Sequence, residues 1–165
     1  RVFGMAGVLD TARYRAFIAE ALNIAPQDIQ AMLMGGHGDS MVPLPRYTTV
    51  GGIPISELLP ADKLNAIVER TKQGGISAWY APGASAAEMV EAIVRNQHRV
   101  MPVCAGLKGE YGLTDLHLGV PVVLGEKGVE RVIELKLDDA EMALVHKSAE
   151  AVRNVMKQLD ELKIF

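Results

Sequence analysis

The chain has 165 residues, 49% hydrophobic and 22% charged, so it is long enough and apolar enough to bury one domain core and is not composed like a disordered segment. Its net charge of −3 comes from interleaved signs without a basic stripe, which argues against nucleic-acid and membrane partners. No apolar run approaches the roughly 18 residues that cross a bilayer, and the opening RVFGMAGVLD has no basic leader followed by a cleavage site, so a soluble protein is expected.

Leu9, Ala12, Ala16, Ala19 and Leu22 recur at helical spacing and predict a helix over 9–22, with Arg13, Arg15 and Glu20 off that stripe. Pro26 and Asp28 end it, and IQAMLMGG then reads as a short apolar strand running into a glycine-rich turn that carries His37. Val42 to Pro45 is extended, and TTVGGIPI has the form of a hairpin around Gly51 and Gly52. A helix is expected after Pro60 through Leu64, Ile67 and Val68, and a second from Ala86 to about Arg95, opened by a capping box of Ser85 with Glu88.

RVMPVCAGL, LHLGVPVVLG and VERVIEL are short, apolar and β-branched, with Gly112 and the GEKG turn between them, and predict an antiparallel sheet. The single cysteine, Cys104, reads as a core position of the first of these strands rather than a reactive thiol, in a reducing, cytoplasmic compartment. Asp138 with Glu141 opens a long amphipathic helix through Leu144, Val145, Val152, Val155, Met156, Leu159 and Leu162. Strands joined by tight hairpins with helices grouped around them indicate an α+β domain, an antiparallel sheet packed with helices, spanning residues 1–165.

Two segments carry candidate chemistry. In MLMGGHGDSMVPL a histidine stands between glycines at the end of a strand, open to ligands, although an isolated turn histidine more often only hydrogen-bonds backbone. A phosphate cradle is excluded, because such loops lead into a helix and Pro43 and Pro45 follow here. In LDTARYR, Asp10 and Arg13 stand three apart on the predicted helix and share a face, although singly Asp10 reads as a cap and Arg13 as a solvated charge.

Together, LDTARYR and GGHGDSMVPLP resemble the two hallmark motifs of the lactate/malate dehydrogenase family, in order and spacing, and GEYGLTDLHLGVPVVLG and the last helix are also similar to it. The resemblance implies that His37 exchanges a proton with the substrate C2 oxygen, that Asp10 holds His37, and that Arg13 binds the substrate carboxylate. Ser77, in GISAWYAPG, resembles the family's small hydroxyl residue of the substrate pocket. The family's activity implies an NAD cofactor, a small-molecule substrate and a homodimer or homotetramer.

MGGHGDSMVPLPRY looks like the lactate-dehydrogenase-like bacterial malate dehydrogenases, implying malate and oxaloacetate, with lactate or another 2-hydroxy acid as the alternative. The chain has no GxGxxG fingerprint, so the resemblance places the dinucleotide-binding domain, and most cofactor contacts, outside it. Two competing expectations are a non-catalytic oligomerisation module and a zinc-assisted hydrolase using His37 and Asp39, though no spacing such as HExxH or CxxC supports a metal. His98, His117 and His146 read as structural or solvated.

Overall fold

The computed structural model describes residues 2–74 and 79–162. Helix α1 spans Ala6–Leu22, beginning about one turn before the predicted start. Its buried side shares only Leu9 and Ala19 with the predicted stripe: Ala12 and Ala16 are exposed, whereas Val8, Thr11, Tyr14 and Ile18 are buried with them. Alanine contributes little burial free energy to either side, so the larger Tyr14 and Ile18, both fully enclosed, decide which face turns inward. The helix stops at Asn23, whose left-handed backbone lets its N–H close on the Ala19 and Glu20 carbonyls.

Five short strands follow: β1 (Ile29–Gln30), β2 (Leu33–Gly35), β3 (Met41–Pro43), β4 (Thr49–Val50) and β5 (Ile53–Pro54). The single strand expected across IQAMLMGG is therefore two. Ile29 and Gln30 pair with Val50 and Thr49 in a small sheet ordered β1-β4-β5, while β2 pairs with β3 in the main sheet. The expected hairpin is β4–β5, turned by Gly51 and Gly52 at φ 54° and 86°.

Helices α2 (Ile55–Leu58), α3 (Ala61–Lys72) and α4 (Tyr80–Val94) come next. The capping box predicted at Ser85 does not form. Ser85 lies inside α4 and donates to the Ala81 carbonyl at 2.9 Å. Pro82 is tolerated because the first helical turn lacks N–H acceptors anyway, so the helix runs further upstream than the Ser–Glu pattern suggests.

The main sheet is antiparallel and centred on β7 (Thr114–Gly125). Strand β6 (Arg99–Lys108) pairs along one edge of β7, and β2 and β8 (Gly128–Val132) share the other. This is the α+β architecture expected. Helix α5 (Asp139–Glu161) opens on a complete capping box of Asp138 and Glu141. It packs on β7, β3 and β2, while α1 packs on β6, α3 and α4.

One core lies around β6 and β7, including Val103, Val120 and Leu124 with Val145 of α5. A second joins Tyr14 and Ile18 to Ile29, Leu33, Ile55 and Leu64. β2 therefore ends between α1 and α5, and His37 follows it. Its join to β7 is close, since a Cβ on Gly119 would stand 2.5 Å from the Gly35 carbonyl oxygen, a backbone atom that cannot rotate away.

Candidate active site

Three residues along α1 is nearly one turn, and this spacing brings Asp10 and Arg13 to one side of the helix. Asp10 is only 1% exposed. Its Oδ2 accepts from His37 Nδ1 at 2.8 Å and its Oδ1 accepts from Arg13 Nη1 at 3.4 Å. The main-chain N–H of Leu33 donates to the Thr11 hydroxyl at 3.3 Å, tying α1 to the strand that delivers His37. The structure thus brings His37, Asp10 and Arg13 together.

The His37 side chain is 56% exposed, against 2% for that of Asp10. Because an ionised carboxylate can only accept, the Nδ1–H of His37 points at Asp10 and Nε2 is the ring nitrogen left for proton exchange with a ligand. Arg13 spends one long bond on Asp10, so most of its five N–H donors remain for an anion. Beside it a cleft of about 330 Å³ is lined by Leu9, Ala12, Ala16, Ala81 and Ala84.

Burial holds the Asp10 carboxyl above its ordinary range, and the opposing pull of the His37 bond and of the His37 and Arg13 charges does not cancel it. A carboxyl whose pKa is raised on folding contributes stability below its unfolded pKa and loses it as pH rises through the folded value. At neutral pH the ionised form is therefore a net strain on the fold. Asp10→Asn is expected to keep or raise the melting temperature at neutral pH, with the gap to wild type closing as pH falls toward about 4. A thermal melt series across that range checks this; a variant less stable than wild type at pH 7 contradicts it.

Ser77 lies outside the described residues. His37 takes Asp10, not its neighbour Asp39, as its carboxylate partner, and among the described residues no group of three or more His, Cys, Asp or Glu side chains could hold a metal ion. His98 pairs with Glu130, and His146 Nε2 bonds the Tyr111 carbonyl across 3.0 Å. Cys104 is half-buried on β6, opposite Gly119, and burial pushes its thiol pKa up, which leaves little reactive thiolate. Among the described residues no helix is long and apolar enough to cross a membrane. Thr11 and Ser148, which hold the site's elements, carry no local sequence signal.

Residues 7–163 match the model of the lactate/malate dehydrogenase alpha/beta C-terminal domain. The chain belongs to the lactate/malate dehydrogenase family. Among similar proteins of this family, the malate dehydrogenase of Cytophaga hutchinsonii is 62% identical over 98% of this chain and 54% of its own length. The solved malate dehydrogenase of Salinibacter ruber is 56% identical, with a TM-score of 0.95 over 99% of this chain and 56% of that one. The lactate dehydrogenase of Eimeria maxima, solved with NADH and oxamate, is 39% identical, with a TM-score of 0.92 over 98% of this chain and 55% of that one. The chain spans about half the length of the relatives it matches.

Proposed function

We propose that this chain is the substrate-binding and catalytic C-terminal domain of an NAD-dependent malate dehydrogenase whose dinucleotide-binding half is a separate N-terminal domain. The observation that carries the reading is the triad on α1 and the β2–β3 loop: an imidazole bonded at 2.8 Å to a buried carboxylate that also meets a guanidinium. The donor set fits a bound hydride carrier, because it offers a proton and a carboxylate clamp while neither group can give or take electrons. A nicotinamide cofactor, when bound, would supply the hydride that the C2 carbonyl of oxaloacetate takes up.

Every other step falls to these residues. Arg13 grips the substrate carboxylate with parallel N–H bonds and fixes the angle of the carbonyl. His37, as imidazolium, bonds the carbonyl oxygen through Nε2 and gives up that proton as the oxygen becomes an alkoxide. Asp10 fixes the tautomer and stabilises the charged ring. In malate oxidation, neutral His37 takes the hydroxyl proton back. By the family resemblance, Ser77 is proposed as a substrate-binding residue.

The malate preference follows the names of the relatives at 54–62% identity. Exposed Ala12 and Ala16 of α1 and Val90 and Val94 of α4 supply apolar helical surface for assembly into a homodimer or homotetramer. A cytoplasmic location suits the lone reduced Cys104. The test is turnover by the full-length protein with NADH: oxaloacetate is expected to be reduced with a kcat/KM at least about 10²-fold above pyruvate. Preference for pyruvate would favour the lactate reading, and turnover of neither would reject a dehydrogenase.

A further inference from the structure

The loop carrying His37 is short, exposed at its tip and rich in glycine, a combination that gives the backbone freedom a catalytic side chain cannot tolerate. One side chain spans it from the inside. Ser148, on the buried face of α5 with Val145 and Ala149, is 3% exposed. Its Oγ accepts from the Gly36 main-chain N–H at 2.8 Å and donates to the Ser40 carbonyl at 2.6 Å. These two backbone groups flank His37 on either side, and the Ser40 hydroxyl adds a bond to the His37 carbonyl at 3.3 Å.

Glycines make the clamp possible. A Cβ on Gly35 would stand 2.7 Å from Ser148 Oγ and 2.8 Å from the Ser40 carbonyl oxygen, and one on Gly36 would overlap Ser40 Oγ. The glycines before His37 therefore admit a hydroxyl from a helix more than 100 residues away in sequence, and the hydroxyl replaces the rigidity that the glycines give up.

We propose that Ser148 is a positioning residue that holds the His37 loop in register with Asp10, so that α5 sets the geometry of the proton-transferring pair. The proposal rests on the reading of His37 as the group that exchanges a proton with substrate. It differs from a purely structural hydrogen bond in what its loss disturbs: a loosened loop moves the imidazole relative to Asp10, and small displacements of a reacting group lower the rate far more than they weaken binding.

The test compares Ser148→Ala with Thr48→Val in the full-length protein. Thr48 is a fully buried hydroxyl that donates to the Leu44 carbonyl at 3.0 Å, away from the loop. Three quantities are read: kcat and KM for oxaloacetate, and the low-field proton resonance of His37 Nδ1–H, assigned by its disappearance in His37→Asn. Ser148→Ala is expected to lower kcat about 10-fold with KM within about twofold, and to broaden or lose the resonance; Thr48→Val loses stability only. A Ser148→Ala protein with wild-type kcat and an intact resonance overturns the proposal, whatever its melting temperature.

Should Ser148→Ala fail to fold, Ser148→Cys keeps the volume with a much weaker donor and acceptor, and the same readouts decide. If the wild-type protein turns over no 2-oxo acid, the functional reading falls. The resonance in the variant still shows whether Ser148 positions the ring.

Discussion

His37→Asn is expected to lower kcat by about 10²- to 10³-fold in both directions, with little change in the binding of a non-reacting substrate analogue. Asparagine can still accept or donate a hydrogen bond near the carbonyl oxygen, so ground-state contacts survive. What it cannot do is change its proton count near neutral pH, and hydride addition to a ketone leaves an oxygen that must take up a proton. His37 is suited to supply it because Nδ1 is already committed to Asp10 at 2.8 Å, leaving Nε2 for the reaction, and because the ring is half-exposed above a nearly sealed carboxylate. Stopped-flow and steady-state rates measure the loss in both directions, and near-normal turnover by the variant would remove His37 from the chemistry.

Arg13→Lys is expected to act on the other side of the reaction, raising KM for oxaloacetate roughly 10- to 100-fold while kcat falls less. Lysine keeps the charge and loses the fork. A bond between charged partners contributes about 1.5–3 kcal/mol, and the second of two parallel bonds is the one a lysine cannot replace. Arg13 is only 14% exposed and is braced at 3.4 Å by the same Asp10 that holds His37, so the proposed clamp and the proposed proton donor share one anchor. Arg13→Lys also removes the rigid plane that meets Asp10, which is why some loss of kcat accompanies the loss of affinity. A variant with unchanged KM would show that the carboxylate binds elsewhere.

The sequence was most readable where chemistry or capping demands specific residue types at fixed spacing. Asp138 with Glu141 forms the predicted box because an α-helix entered from an extended residue needs those acceptors. The same pattern at Ser85 and Glu88 failed because a serine inside a helix can bond its own preceding turn, and nothing local distinguishes the two uses. The alanines of α1 misled for a related reason: alanine is as comfortable in water as in a core, so Ala12 and Ala16 gave a stripe that the bulk of Tyr14 and Ile18 overruled.

His37, Asp10 and Arg13 are legible through the resemblance of LDTARYR and GGHGDSMVPLP to the family's motifs, not through type or spacing alone, and the fold bonds both His37 and Arg13 to Asp10. Their supports were not legible. Thr11 meets Leu33 across 22 positions and Ser148 meets Gly36 across 112, contacts that depend on how α1 and α5 cross the sheet rather than on any local pattern. Gly35 and Gly36 read only as a turn and Gly119 only as part of a strand, whereas Gly119 exists for the close passage of β2 beside β7.

On the proposed function, one small 2-oxo acid is held by Arg13 while His37 faces its carbonyl oxygen. A crystal structure of the full-length protein with NADH and oxamate tests this most directly. The oxamate carboxylate is expected on the Arg13 guanidinium, with its C2 oxygen within hydrogen-bonding distance of His37 Nε2; oxamate bound away from these two side chains would refute that placement.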